Sequence, residues 1–272
     1  MIRLSASLTG VGVKTVIMKF GGASVAHPAQ FGKIAEIILK RLEAFRVVVV
    51  VSAMGDTTDQ LLSLAKEVHP APPLRELDML VSVGERISIA LLAMALHLKG
   101  QEAISFTGSQ SGIITSSLHS EARIIDVKPH RLLKQLKENK VVIVAGFQGV
   151  SKEGEITTLG RGGSDTTAVA LAIALGADHV EFYKDVSGIC SEDPKKNAEA
   201  EVFSVLSYAQ ALSIVESGAE VLHSRCIKLA SVNDLPIHVR SFFDPELFCG
   251  QGTWILSHLG CKMSAQIYEE GE

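Results

Sequence analysis

Residues 156–185 read ITTLGRGGSDTTAVALAIALGADHVEFYKD: a polar glycine-rich turn, an almost wholly apolar run, then an apolar stretch ending in a Lys-Asp pair. A run of helical length with no polar face, TTAVALAIALGA, predicts a helix buried on all sides. HVEFYKDV, short and rich in β-branched and aromatic residues, predicts a strand. A turn that only redirects the chain needs the glycines. It does not need Arg161, Ser164, Asp165 and two threonines, so the stretch is also a candidate site.

The same alternation extends outward. TVIMKF (15–20) predicts a strand that stops at a glycine pair, and AQFGKIAEIILKRLEAF has helical spacing. RVVVVV (46–51) is a continuous valine run, the mark of a strand covered on both faces in a parallel sheet. TDQLLSLAKEV predicts a helix, HPAPP a loop, and residues 76–100 one long helix closing at Gly100. EAISFTG, VVIVAGFQG and PIHVRSF predict strands, and SYAQALSIVESGA a helix. The predicted fold is α/β with a largely parallel sheet. No repeat or low-complexity linker divides the 272 residues, so one domain is expected, its only lobe boundaries the loop near 69–75 and the polar 150–158 region.

A net charge of −4 gives the surface no general attraction for nucleic acid or anionic membrane. The four cysteines, Cys190, Cys226, Cys249 and Cys261, form no CxxC pair and read as reduced structural thiols. The opening MIRLSASLTGVGVK lacks a signal-peptide pattern, and the apolar stretches are interrupted short of the ~20 residues of a membrane span. A soluble cytoplasmic protein is expected.

Polar residues collect where the strands end, the edge at which open α/β sheets bind ligands. KFGGAS supplies Lys19, Gly21, Gly22 and Ser24, which suit a phosphate or equally a tight turn with a surface lysine. SAMGDTTD offers Ser52, Gly55, Thr57 and Thr58, and alone reads as a helix cap. GERIS puts Glu85 in an apolar helix, where it needs either a protein cation or a ligand ammonium. In LGRGGSD, Arg161 suits bidentate carboxylate or phosphate binding, while Ser164 and Asp165 fit either a cap or a site. YKDVSGICSEDPKK adds Lys184, Asp185, Asp193, Lys195 and Lys196, for phosphates or as a solvated face. His119, His223 and His238 lack metal-ligand spacing.

In this order, KFGGAS, VVSAMGDTT, GERIS, GFQG, LGRGGSDTTA, YKDVSGICSEDP and SYAQALSIVESGAEVLHSR resemble the aspartate kinases of the amino-acid kinase superfamily, from about Lys14 to Ile255. The resemblance implies a three-layer sandwich around a mainly parallel sheet of about eight strands. It implies an N-terminal lobe (about 14–150) for the amino acid and a C-terminal lobe (about 151–260) for nucleotide. The implied reaction is L-aspartate + ATP → 4-phospho-L-aspartate + ADP, with Mg²⁺, opening the route to lysine, threonine, methionine and diaminopimelate. A homodimer is implied as well.

Carried over residue by residue, Lys19 would hold the transferring phosphoryl with the Gly21 and Gly22 amides nearby, and Asp165 would orient Lys19. Arg161 would grip a substrate carboxylate and Glu85 its ammonium, with Ser24, Thr58, Phe147 and Ser164 completing the pocket. Lys184, Asp185, Cys190, Lys195 and Glu220 would face the nucleotide, and here the chain departs from the family. Lys184 stands for a Thr, Cys190 for a Tyr, Lys195 for an Arg, and Glu220 for a phosphate-facing Lys. The two reciprocal charge changes suggest that Lys184 pairs with Glu220. Two alternatives stay open: another small acid as acceptor, or a weakly active kinase-fold regulatory subunit. The sequence stops soon after GTWILSHLGCKM, where the family usually continues into ACT-type regulatory domains. If it is complete, feedback through them is expected to be absent, and a natural short form and a chain cut at the domain boundary both stay open.

Overall fold

The computed structural model describes residues 13–192, 197, 200–243, 252–257 and 266–269. Its strands are β1 (Thr15–Phe20), β2 (Arg46–Val51), β3 (Ala103–Phe106), β4 (Ile113–Thr115), β5 (Ile124–Val127) and β6 (Val141–Ala145). They continue with β7 (Gln148–Ser151), β8 (Ile156–Thr158), β9 (His179–Lys184), β10 (Val205–Leu206), β11 (Ile237–Ser241) and β12 (Thr253–Ile255). The helices are α1 (Pro28–Arg41), α2 (Thr57–Val68), α3 (Leu74–Val81), α4 (Val83–Leu98) and α5 (Gly108–Ser111). After them come α6 (His130–Lys137), α7 (Gly163–Leu175), α8 (Tyr208–Glu216) and α9 (Ser224–Val232).

Eight strands form one sheet in the order β10-β12-β11-β9-β1-β2-β6-β3. The run from β11 to β3 is parallel throughout, and β12 lies antiparallel to β11. Successive residues of a strand face opposite sides, so a strand buried on both faces feeds two cores. Ile17, Val48, Val50, Val180 and Phe182 join α7 and α9 in one cluster. Val16, Met18, Val47, Val49 and Val51 join α1 and α4 in the other. This is the three-layer sandwich that the resemblance implied, with the valine run covered on both faces as its composition predicts. In α7, residues 163 and 165–173 are all buried.

A second sheet, order β5-β4-β7-β8, has no counterpart in the sequence reading. Its strands have only three or four residues and carry Thr, Asp, Gln and Ser, so no period-two pattern develops.

The single helix expected over 76–100 is two helices, α3 and α4, meeting at Ser82. The Ser82 carbonyl accepts from Gln148 Nε2 at 2.8 Å, which takes it out of a continuous helical ladder. Together Leu74–Leu98 have the length and hydropathy of a membrane span, contrary to the expectation that no stretch would reach it. Here α4 packs Ile89, Leu92 and Leu96 into the core beside α1.

At the far side of β9, Glu181 is buried among cations. It accepts from Arg41 Nη2 (2.7 Å), Arg240 Nη1 (3.1 Å) and the Tyr183 hydroxyl (2.8 Å), which ties the end of α1 to β9 and β11. Burial alone would raise the Glu181 carboxyl, but its partners His179 and Arg41 hold it below the usual range.

The parallel register puts the carboxyl ends of β1, β2, β6 and β9 on one edge. Strand order reverses at β1, with β2 on one side and β9 on the other. That is the switch point where such sheets open a crevice.

Candidate active site

Lys19, next to last in β1, points into this crevice with only 4 % of its surface exposed. Its ammonium lies 2.6 Å from Asp165 Oδ1, and the Lys184 ammonium, at the end of β9, lies 3.3 Å from Oδ2. One buried carboxylate therefore holds two cations. Burial would push Asp165 up, yet Lys184 and Lys19 overcome it and hold the group at about 2. Burial, with Lys184 adding to it, pulls Lys19 below the usual lysine range against the attraction of Asp165. Asp165 stays anionic at any physiological pH.

The turn before α7 explains its own composition. The helix is capped by Gly162 in the left-handed region (φ 69°), with no side-chain cap bond. A Cβ there would meet His223 Cγ at 2.2 Å, so only glycine fits. Ser164 and Asp165 are thus released from capping. A Cβ on Gly163 would meet Phe147 Cδ2 at 2.9 Å, so this glycine lets α7 approach the Phe147 turn. Phe147 itself has φ 68°, a strained conformation held in part by the Thr167 hydroxyl accepting its amide at 3.2 Å.

A cavity of about 560 Å³ opens from Lys19 and is lined in part by Gly22, Ser52, Thr58, Glu85, Phe147, Arg161, Ser164 and Asp165. Gly21 borders Lys19, since a Cβ on it would stand 3.3 Å from Nζ. Asp56, the N-cap of α2, makes no side-chain cap bond but accepts from Gln60 Nε2 at 3.0 Å, while the Thr57 hydroxyl donates to the Met54 carbonyl at 2.6 Å. Gly84 allows α4 to approach Ala53, since a Cβ there would stand 2.7 Å from the Ala53 Cβ. The Ala53 amide then donates to Glu85 Oε1 at 3.1 Å. Oε2 of Glu85 has no hydrogen-bond partner among the described residues, and no protein cation pairs with the group. Burial raises Glu85 to about 7, against the pull of its own amide, the Ala53 amide and Lys19. Arg161 is exposed at the cavity rim, with no ion-pair partner among the described residues.

Ser24 sits in the turn after β1. It is buried, its hydroxyl donates to the Tyr183 carbonyl at 3.3 Å, and it is absent from the cavity wall. It pins the turn after β1 to β9.

Sequence reasoning missed Asp78. This fully buried carboxylate in α3 accepts from His119 Nδ1 (2.7 Å), the Thr158 hydroxyl (2.6 Å) and the Ser120 amide (3.1 Å). Ser120 and Thr158 line the cavity, so Asp78 braces one wall. Its signal in the sequence was faint: α3, LRELDMLV, also carries Arg75 and Glu76, and only the burial of Asp78 sets it apart.

A second cavity, of about 550 Å³, is lined in part by Lys184, Asp185, Gly188, Cys190, Glu192 and Glu220. A smaller cleft containing Asp165, Arg161, His223 and Glu220 lies between the two. Lys195, with Asp193 and Lys196, falls outside the described residues. The expected Lys184–Glu220 pair is not formed: Asp165 takes the lysine, and Glu220 is exposed with no ion-pair partner among the described residues.

The description of the amino acid kinase family matches residues 14–241. The chain belongs to the amino acid kinase family. Within this family it is 54% identical over 230 residues to the aspartokinase of Mycobacterium tuberculosis, covering 84% of this chain and 55% of that one. The Synechocystis aspartate kinase superposes with a TM-score of 0.78 at 44% identity, covering 89% of this chain and 40% of that one. Aspartokinase III of E. coli, solved with aspartate and ADP, superposes with a TM-score of 0.80 at 29% identity, covering 89% of this chain and 64% of that one. The chain spans about half the length of the curated relatives it matches. In this member of the family the polar cluster lies on the carboxyl edge of the parallel sheet.

Proposed function

We propose that this chain transfers the γ-phosphoryl of MgATP to the side-chain carboxylate of L-aspartate, giving 4-phospho-L-aspartate and ADP. The observation that carries the reading is the buried Lys19–Asp165 pair, at 2.6 Å, beside a cavity holding Arg161 and Glu85. An amino acid with two carboxylates needs one cation, one anion and a second cation near the reacting oxygen. Arg161 offers a fork for one carboxylate, Glu85 Oε2 an acceptor for the ammonium, and Lys19 a charge for the phosphoryl. The E. coli enzyme's complex with aspartate and ADP supports this choice of substrates.

The attacking carboxylate is ionised at neutral pH, so the reaction needs no general base. Asp165, held near 2, therefore serves to fix the lysine ammonium. Lys19 neutralises charge on the phosphoryl as it moves, a contribution of position and field rather than covalent chemistry. Thr58, Phe147 and Ser164 shape the pocket around the acid. The nucleotide is assigned to the cavity of Lys184, Asp185, Cys190 and Glu220, with residues about 14–150 forming the amino-acid lobe and 151–260 the nucleotide lobe. Asp185, which lines the same cavity, would be the residue to hold a magnesium ion carried by the nucleotide's phosphates, where the ion would offset their charge. The assembly is proposed to be a homodimer, for sedimentation to test.

Glu220 favours a second reading, a regulatory subunit with weak turnover, because its carboxylate repels phosphate. A coupled ADP-release assay with L-aspartate, L-glutamate or no acceptor separates the two. Aspartate-dependent turnover that Lys19→Met abolishes supports the kinase; nucleotide binding without turnover supports the subunit.

A further inference from the structure

Lys19 and Lys184 sit on the two oxygens of one carboxylate, with Lys19 lining the first cavity and Lys184 the second. Asp165 is part of the wall between them. The two lysines thus face the two cavities from opposite oxygens of one carboxylate. The cluster carries two positive charges against one negative. Lys19 and Asp165 are 4 % and 6 % exposed, and the Lys184 side chain 17 %. A buried excess of charge calls for a counter-ion. Among the described residues no second carboxylate pairs with either ammonium: Glu220 is solvent-exposed without an ion-pair partner there, and Glu85 accepts from the Ala53 amide.

We propose that Lys184 is a second catalytic cation, contacting the transferring phosphoryl from the nucleotide side while Lys19 contacts it from the acceptor side. This rests on the kinase reading above and deepens it. The γ-phosphoryl presents three equatorial oxygens, enough for both ammonium groups to engage at once. No proton moves: the bond from the γ-phosphorus to the bridging oxygen breaks as the bond to the carboxylate oxygen forms. Lys184 offsets the repulsion from Glu220 across the same cavity without pairing with it. Asp165 is the shared hinge, holding both ammonium groups while the site is open.

The test compares wild type, Lys184→Met, Lys184→Arg and Lys184→Met/Glu220→Lys. Methionine keeps an unbranched side chain and removes the charge, which lies 5.9 Å from the Phe182 ring centroid. Calorimetry with ADP and with a non-hydrolysable β,γ-imido ATP analogue, both with Mg²⁺, reads the γ-phosphoryl contact without turnover. Lys184→Met weakens the analogue at least about tenfold and leaves ADP within about twofold, while kcat falls about 100-fold. Lys184→Arg keeps most of the selectivity for the analogue, and the added Glu220→Lys recovers at least about tenfold in kcat. A Lys184→Met protein that binds both nucleotides as wild type does, or loses both equally, overturns the proposal. Should Lys184→Met not fold, Lys184→Thr is measured the same way. If wild type shows no aspartate-dependent ADP release, the acceptor assignment fails, and the calorimetric comparison still decides the role of Lys184.

Discussion

Glu85 gives the sharpest numerical prediction. Its displacement from an ordinary 4.5 to about 7 corresponds to about 3 kcal/mol, at ~1.4 kcal/mol per pH unit. An ammonium placed on the unpartnered Oε2 requires the ionised carboxylate, so aspartate capture should follow Glu85 ionisation. The ionised fraction is about half at pH 7 and about a tenth at pH 6, since the carboxyl titrates as a single group. The value of kcat/KM for aspartate, at saturating MgATP, should therefore fall about fivefold from pH 7 to 6 and approach tenfold per unit below. The assay is ADP release at low aspartate from pH 5.5 to 8.5, with the coupling enzymes in excess at each pH. Glu85→Gln should abolish the slope and lower kcat/KM at pH 8 about 30-fold, the worth of a charge-assisted bond to an ammonium. Stability moves the other way. A raised folded value means the protonated form is preferred on folding, so stability falls as pH rises from 4.5 toward 7. Ligand-free Glu85→Gln should lack that fall and melt above wild type at pH 8. A flat kcat/KM profile between pH 6 and 8, or one that Glu85→Gln leaves sloping, refutes the assignment.

Arg161→Ala should raise the KM for aspartate about 100-fold with a smaller change in kcat, because the lost fork binds an unreacting carboxylate. An unchanged KM in steady-state kinetics would remove Arg161 from the pocket. Asp78→Ala should cost about 3 kcal/mol, read as a drop of about 6–12 °C in melting temperature, since it strands the Thr158 hydroxyl and Ser120 amide. Gly162→Ala should lose at least about 2 kcal/mol in denaturant unfolding, having both a left-handed φ and the His223 ring against it.

The main sheet was legible because TVIMKF, RVVVVV and HVEFYKDV carry their burial in their composition: strands covered on both faces need no polar alternation. The α7 helix was legible for the same reason. What failed was anything set by tertiary contact. The β4, β5, β7 and β8 strands are too short for a period, and the break at Ser82 depends on a carbonyl captured by Gln148, 66 positions away. The turn at Arg161 stood out because its residue types exceed what a turn requires, whereas Lys19 and Asp165 read equally as a surface lysine and a helix cap until burial and their 2.6 Å contact placed them together. The partner of Lys184 was not legible, since charge reciprocity with Glu220 in the sequence carries no distance, and Asp165 lies nearer. The Ser24 hydroxyl shows the same limit, since its bond to the Tyr183 carbonyl joins positions 159 apart.

The central claim is that a carboxylate of aspartate becomes an acyl phosphate. Hydroxylamine traps acyl phosphates as hydroxamates, so the chain is incubated with MgATP, L-aspartate and hydroxylamine, and the product is identified by mass spectrometry. The account predicts aspartate β-hydroxamate in step with ADP, formed by wild type and absent with Lys19→Met. ADP release without hydroxamate, or equal hydroxamate from Lys19→Met, would contradict it.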